Sequence, residues 1–416
     1  MTRRIEAAWL REGPLARLIG VLDRDGEEAR VVGGAVRNAL IGQPVAEIDL
    51  ATTAVPDEVI RRAEAAGFKP VPTGIEHGTV TVVVEGAPFE VTTLRQDVET
   101  FGRRAKVAFG RDWKRDAERR DFTMNALSAS PDGTVHDHVG GLADLEDRRV
   151  RFIGEPAQRI AEDYLRILRF FRFHAAYGNG GLPDAAGLSA CIAARAGLET
   201  LSRERVRMEM LKLLVATHAV PTLAVMAEAG LAGTVLGGVP LLASFSNMMK
   251  LEGELALAPD PVRRLGALGV TIVEDAERLR ERLRLANAEY ERIASMADGW
   301  WRISSGLGEH DGQALIYRLG AQVYLDRVLL AWSRAWEEGV ASERWRTFAT
   351  LPARWTAPAF PLKAADLIAR GVPKGPRLGA ALRAAEEAWI AERFPLDKET
   401  LAEVADSACR QVIEQK

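Results

Sequence analysis

The residues from Val31 to Thr53, "VVGGAVRNALIGQPVAEIDLATT", put two glycines, an arginine and two carboxylates in one short stretch. In "VVGGAVRN" a strand-forming run meets Gly33 and Gly34 and then a helix start, so backbone N–H groups can approach a phosphate with no side chain in the way. Arg37, one turn into that helix, can add charge to the same anion. A glycine pair at such a junction also serves simply as a tight turn. Glu47 and Asp49 in "EIDLAT" alternate with period two and so share one face of a strand. Carboxylates side by side repel unless a cation lies between them, and hard oxygen ligands favour Mg²⁺. Glu90 in "FEVTT" points away from the apolar Phe89 and Val91 and can join the same site. Three acids beside a glycine turn fit two-metal phosphoryl transfer, with Glu47 and Asp49 as metal ligands.

Further along, "RRDFTMNAL" (119–127) reads as two arginines and an aspartate at a helix start. The arginines can bind a triphosphate, and Asp121 can accept a hydrogen bond from a ribose hydroxyl. In "AEDYLRILRFFRF", Asp163, Arg166, Arg169 and Arg172 recur every three residues, a slowly turning stripe on one helix. Such a stripe suits a solvated face as well as a site. Read as a site, an aspartate accepting from an exocyclic amine beside an arginine donating to a ring nitrogen admits cytosine and adenine and refuses uracil and guanine. The glycines of "DHVGGLADL" look like a hinge.

The elements that must hold these residues follow from periodicity. The runs "ARVVGG", "EIDLAT", "GTVTVVVEG" and "PFEVTTL" predict strands, and "AVRNALIG" and "PDEVIRRAEAAG" predict helices between them. Beyond about residue 145 the pattern is helical throughout, with breaks at "YGNGGLPD" and "LPARWTAPAFP". The opening 23 residues read as one amphipathic helix carrying charges throughout, unlike a signal peptide.

With 416 residues, more than one hydrophobic core is expected. Cys191 and Cys409 are far apart and suggest neither a disulfide framework nor a thiolate zinc site. No run approaches the roughly 20 apolar residues of a membrane span, so a cytoplasmic protein without a membrane partner is expected. The net charge of −3 makes no global case for nucleic acid, but residues 95–120 carry nine Lys/Arg against five Asp/Glu, and residues 148–172 seven against three. These strips are either solvated helix faces or the walls of a groove for a polyanion. Seven of the nine tryptophans fall between Trp300 and Trp389, which suits helix packing first and base stacking second.

Taken in order, "VVGGAVRN", "EIDLATT", "HGTVTVV" with "FEVTT", "RRDFTMNAL", "GGLADL", "EDYLRILRFFRF" and "LSRERVRMEMLKLL" resemble the class II tRNA nucleotidyltransferases, which include CCA-adding enzymes and bacterial poly(A) polymerases. "PLKAADLIARGVPKGPRLGAALRAAEEAWI" resembles that family's tail. The resemblance implies an α+β chain: a small mixed-sheet, polymerase β-like nucleotidyltransferase head (1–145), then an all-helical neck (146–220), body (221–305) and tRNA-binding tail (306–416). It implies template-independent addition of C, C and A to tRNA from CTP and ATP with Mg²⁺. By position, Gly33, Gly34 and Arg37 would hold the triphosphate, and Glu47 and Asp49 the magnesium. Arg120 and Asp121, with Asn125 of the same run, would meet the phosphates and ribose. Asp163 and Arg166 would read the base, Arg169 and Arg172 would support that helix and the triphosphate, and residues 203–209 would brace it. The family usually has Asp where this chain has Glu47 and Asn38. Asn38, on the first turn of its helix, suits a local hydrogen bond.

Among alternatives, a poly(A) polymerase shares the head motifs but tends to end in a basic extension, whereas the last 20 residues hold three Lys/Arg and five Asp/Glu. A CC-adding variant would lack the loop that residues 94–118 supply. "EHDG" at 309–312 hints at an HD phosphohydrolase, yet the nearest other histidine is His218. His136 and His138 read as structural. A non-catalytic RNA-binding protein would not need Glu47, Asp49 and Glu90. No protein partner is implied.

Overall fold

The computed structural model describes residues 3–101, 104–335 and 340–414. They form two compact units, one running through Leu242 and including Arg278–Leu285, the other comprising Ala243–Glu277 and the described residues from Ala286 on.

The first unit is built on a seven-stranded mixed sheet in the order β3-β4-β5-β2-β1-β8-β9. The strands are β1 Ala29–Val32, β2 Asp49–Thr52, β3 Lys69–Gly74, β4 Thr79–Val84, β5 Ala87–Thr93, β8 Ser128–Ala129 and β9 Val135–His136. Only β2 and β5 pair in parallel. Alternation decides which face is covered: in β4, Val80, Val82 and Val84 are fully buried and the residues between them are not. The helix Gly13–Leu22 packs there through Leu15, Leu18, Ile19 and Leu22, one stripe at helical spacing.

Four strands match the expected runs. β3, "KPVPTG", was not expected, because its two prolines argue against a strand. It lies at the sheet edge, where a missing N–H leaves no ladder bond unmade. Between the expected "FEVTT" strand and "RRDFT", the chain forms a separate two-stranded ribbon, β6 Arg95–Phe101 with β7 Arg104–Phe109, followed by the helix Trp113–Glu118. Residues 102 and 103 lie outside the described residues. The single N-terminal helix is also corrected: Ala8–Arg11 and Gly13–Leu22 are separate, and Arg4 pairs with Thr134 instead of beginning a helix.

From residue 156 on, every named element is helical. Phe122 and Phe152, opposed across an isolated bridge, pack against Phe170 and Phe173 of the helix Leu165–Tyr177, with ring centroids 5.0 to 5.3 Å apart in three of the pairs. These rings seat that helix on the sheet domain. The expected hinge is a pinned turn. Asp137 accepts from the backbone N–H groups of Val139, Gly140, Gly141 and Leu142, and a Cβ on Gly141 would lie 2.2 Å from the Thr123 carbonyl oxygen.

In the second unit Trp332, Trp345 and Trp389 are buried in helical cores, as packing predicts; Trp336 lies outside the described residues. Asp326, fully buried, accepts from Arg263, Arg292 and Gln322.

Candidate functional site

At the end of β1 the chain turns at Gly33, whose φ of 69° is strained for any L side chain, and enters the helix Gly34–Leu40. A Cβ on Gly33 would stand 3.2 Å from Arg120 Nη1, so the glycine lets the backbone approach a cation. Asp49 opens β2 one strand away, in register with Val32 on one side and Glu90 of β5 on the other. Glu47 is not on that strand. It stands two residues before it, outside any assigned element, and is exposed. Glu47 and Asp49 nevertheless line one open cavity with Gly33 and Gly34. Burial pushes the Asp49 carboxyl above its ordinary value, the charges of Glu90 and Glu47 add to this, and Arg120 opposes it. Among the described residues no group of three or more His, Cys, Asp or Glu side chains is gathered closely enough to hold a metal.

The segment 119–121 does not start a helix. It links the C-terminus of Trp113–Glu118 to a 3₁₀ turn, Thr123–Asn125. Buried Asp116 accepts from Arg119 Nε at 2.8 Å and from Arg120 Nε and Nη2 at 3.4 and 3.3 Å. Asp121 Oδ2 accepts from Arg169 Nε and Nη2 at 2.8 and 2.5 Å, and Oδ1 from Phe122 N and Asn125 Nδ2 at 2.8 and 3.2 Å. Burial raises the Asp121 pKa, but Arg169 and these donors outweigh it and hold the carboxyl below its ordinary value. All four acceptor positions of Asp121 are filled, so a ribose hydroxyl is received there only by displacing one donor.

Arg37 is buried. Its guanidinium donates to Asn125 Oδ1, to Asn38 Oδ1 at 2.9 and 3.1 Å and to the Tyr177 hydroxyl at 2.6 Å, and it lies 3.9 Å over the Tyr177 ring. Asn38 Nδ2 donates to the Pro44 carbonyl, a local role, although Asn38 sits mid-helix and not in the first turn.

The charge stripe is also redrawn. Asp163 precedes the helix Leu165–Tyr177, in extended conformation at the end of the helix Pro156–Glu162. Asp163, Arg166 and Arg169 line the cavity, as do Arg37, Arg120, Asp121 and Asn125; Arg172 is not among the lining residues and lies 4.2 Å over the Phe173 ring. Each is held from behind. Asp163 accepts from Arg205 at 2.6 Å, Arg166 donates to Glu162 at 2.5 Å, and Glu209 accepts from Arg172 and lies 3.7 Å from Arg169. Arg205 and Glu209 belong to Arg203–Leu214, the segment expected to brace this helix. The cavity holds about 540 Å³, within the range of small-molecule sites.

Sequence reasoning missed Phe173 as a lining residue and Tyr177, Glu162 and Arg159 behind it, whereas Arg119, the first of the two arginines of "RRDFT", lines the cavity beside Arg120. Glu162 and Arg166 stand four apart, a spacing that announces an ion pair. Tyr177 and Arg37 are 140 residues apart and carry no such signal. Elsewhere, His136 bonds to Ser130 within the sheet, and His310 rests on the Phe394 ring.

Residues 29–151 match the Poly A polymerase head domain, and residues 187–245 the "Probable RNA and SrmB- binding site of polymerase A". The CCA tRNA nucleotidyltransferase 1, mitochondrial, of Danio rerio is 34% identical over 394 residues, 93% of this chain and 89% of that protein. The CCA-adding enzyme of Limosilactobacillus fermentum is 31% identical over 94% of this chain and 96% of its own. A crystal structure of the Bacillus stearothermophilus CCA-adding enzyme in complex with CTP superposes with a TM-score of 0.75 at 27% identity, covering 96% of this chain and 98% of that one.

Proposed function

This chain belongs to the family of CCA tRNA nucleotidyltransferases, and from that premise we infer that it adds C, C and A to the 3′ end of tRNA, from CTP and ATP and without a nucleic-acid template. The observation that carries the reading is the match to a protein of that activity across nearly the whole of both chains.

We assign Gly33, Gly34, Arg37 and Arg120 to the triphosphate, with Asn125 setting Arg37 and Asp121 facing the ribose. Asp49 and Glu47 fit a divalent cation, which we take to be Mg²⁺, with Glu90 as the third carboxylate: burial and negative neighbours disfavour the ionised form of Asp49, and a bound cation relieves both. The metal would supply activation of the tRNA 3′ hydroxyl and neutralisation of phosphate charge. Asp163 and Arg166 read the base, Asp163 accepting from the amine of C or A and Arg166 donating to the ring nitrogen. Arg169 holds Asp121, and Arg172 supports the helix through Glu209. Head, neck, body and tail are placed at 1–145, 146–220, 221–305 and 306–416. We place the protein in the cytoplasm; no helix among the described residues is long and apolar enough to cross a membrane.

The test offers purified protein a tRNA lacking its 3′ end with each nucleotide separately and in combination. Ordered C, C, A addition is expected, and long tails from ATP alone on unstructured RNA would refute it. The base-reading assignment is tested by the CTP to UTP incorporation ratio of Asp163→Ala/Arg166→Ala, which should fall roughly tenfold or more.

A further inference from the structure

Arg159 stands between the two sides of the nucleotide cavity and lines neither. Its side chain is 12% exposed and borders a separate cleft with Phe152 and Gln158. From the helix Pro156–Glu162, its Nη2 donates to the carbonyl oxygens of Arg119 and Arg120, the latter at 2.7 Å, and its Nη1 to Glu162 Oε2 at 2.5 Å. Its own carbonyl oxygen accepts from Arg166 Nη1 at 2.7 Å, and the same Nη1 reaches Glu162 Oε2. Arg159 thus grips Arg166 twice, through its backbone and through Glu162, while its guanidinium grips the head.

The two carbonyls are the informative part of this arrangement. The Arg119 carbonyl lies in the peptide plane entering Arg120, and the Arg120 carbonyl in the plane leaving it. Fixing two successive planes fixes both soft dihedrals at Arg120, and with them the direction of its side chain and the start of Asp121. One guanidinium therefore sets the residues that face phosphate and ribose and also the arginine that faces the base.

We propose that Arg159 is a positioning residue for nucleotide choice: it holds Arg166 in register with Arg120 and Asp121, so that selection among nucleotides depends on a side chain that meets none of them. This rests on the assignment of Arg166 to the base. A tie that merely fastens one helix to the head would lower stability and total activity and leave selectivity alone. A register device makes selectivity itself fall, because a base held in misregister with its triphosphate presents the wrong atoms to Arg166.

The experiment uses the full chain with Arg159→Met, Arg159→Lys and Arg166→Ala, on tRNA lacking its 3′ end. Measured are the CTP to UTP incorporation ratio, KM for CTP, KM for tRNA and the thermal midpoint. Arg159→Met should lower the ratio about tenfold and raise KM for CTP while KM for tRNA stays near wild type. Arg159→Lys keeps the charge and can still reach one carbonyl, so its ratio should lie between the two. Should the Met variant fail to fold, the Lys variant decides: a lowered ratio supports the proposal and a wild-type ratio overturns it. Arg166→Ala separates the two possible failures. A ratio unmoved by Arg166→Ala removes the base-reading assignment, whereas a ratio moved by Arg166→Ala and wild-type in both Arg159 variants overturns the coupling alone.

Discussion

Replacing Tyr177 by phenylalanine deletes one oxygen and keeps the ring, which isolates a single hydrogen bond behind Arg37, the arginine we assign to the triphosphate. The lost contact is Arg37 Nη2 to the Tyr177 hydroxyl at 2.6 Å; the cation–π approach at 3.9 Å and the stack on Phe173 at 5.6 Å survive. A hydrogen bond to a charged group contributes about 1.5 to 3 kcal/mol. Nη2 keeps a second acceptor, Asn38 Oδ1 at 2.9 Å, so the cost falls to or below the bottom of that range, about 1 to 1.5 kcal/mol. For a domain of this size that is a fall of roughly 2 to 6 °C in the thermal midpoint. Burial already pushes the Arg37 pKa down, so a guanidinium with one partner fewer is held less firmly where it meets phosphate. KM for CTP and for ATP should both rise about three- to tenfold, with KM for tRNA unchanged. Tyr177→Ala, which also removes the ring, should cost about 3 to 5 kcal/mol. Differential scanning calorimetry with steady-state kinetics measures both quantities. If Tyr177→Phe melts lower yet uses both nucleotides as wild type does, Arg37 is a structural arginine and its assignment to the triphosphate fails. If neither quantity moves, the hydrogen bond has no energetic role and the reasoning itself is refuted.

Asp49→Ala should abolish C and A addition alike while leaving tRNA binding by gel shift nearly intact, since a carboxylate that holds the divalent cation, as we propose for Asp49, would serve every step. Glu47→Asp should retain or raise turnover, because it restores the residue usual in the family; a loss as large as that of Asp49→Ala would show that the longer side chain is needed where it stands. Shortening the ribbon Arg95–Phe109 should spare C addition and block the terminal A, read from product lengths on a sequencing gel, and equal loss of all three additions would contradict this. Asp144 is fully buried beneath Thr123, Arg149 and Arg151; burial raises its pKa, but those three partners outweigh it and the carboxyl sits below its ordinary value. A carboxylate depressed on folding stabilises above its unfolded pKa, so Asp144→Asn should cost about 2 kcal/mol at neutral pH, and the gap in denaturant titrations should narrow as pH falls below roughly 3.9.

The parts of this molecule legible in the sequence are those whose signal is local. Alternation in "GTVTVVVEG" announces β4, and the glycine pair announces the turn into Gly34–Leu40. Where a local rule misled, a tertiary circumstance overrode it. Prolines hid β3, which the sheet edge tolerates, and the three-residue spacing drew Asp163 onto a helix that begins only at Leu165. Asp163 accepts the Leu165 N–H at 3.1 Å and so belongs to the turn before that helix. Asp163, Arg166 and Arg169 line one cavity without sharing one helix, and Arg172 of the same stripe is not among the lining residues. Their partners were beyond reach for a different reason: Arg205 is 42 residues from Asp163, and Tyr177 is 140 from Arg37. No periodicity connects such pairs; the packing of Phe122 and Phe152 against Phe170 and Phe173 brings the helix that carries Tyr177 to the sheet domain that carries Arg37.

The motifs suggest a basic groove waiting for an anion, but the structure describes cations already engaged. Arg37 is bound to Tyr177 and two asparagines, Arg120 to Asp116, Arg166 to Glu162 and Arg169 to Asp121. Binding a nucleotide is then an exchange of partners, and the affinity gained is the difference between two sets of charge-assisted bonds. The cavity wall carries five arginines and four carboxylates, Glu47, Asp49, Asp121 and Asp163, an excess of one positive charge. A triphosphate brings more negative charge than that excess offsets. The electrostatic case for a divalent cation at Asp49 and Glu47 is therefore made by the arginines as much as by the acids. Without it, the polyanion would have to draw Arg169 from Asp121 or Arg166 from Glu162, and each half-buried carboxylate would lose a charged partner. With it, those pairs can stay intact, and Arg166, which we assign to the base, keeps its tie to Glu162.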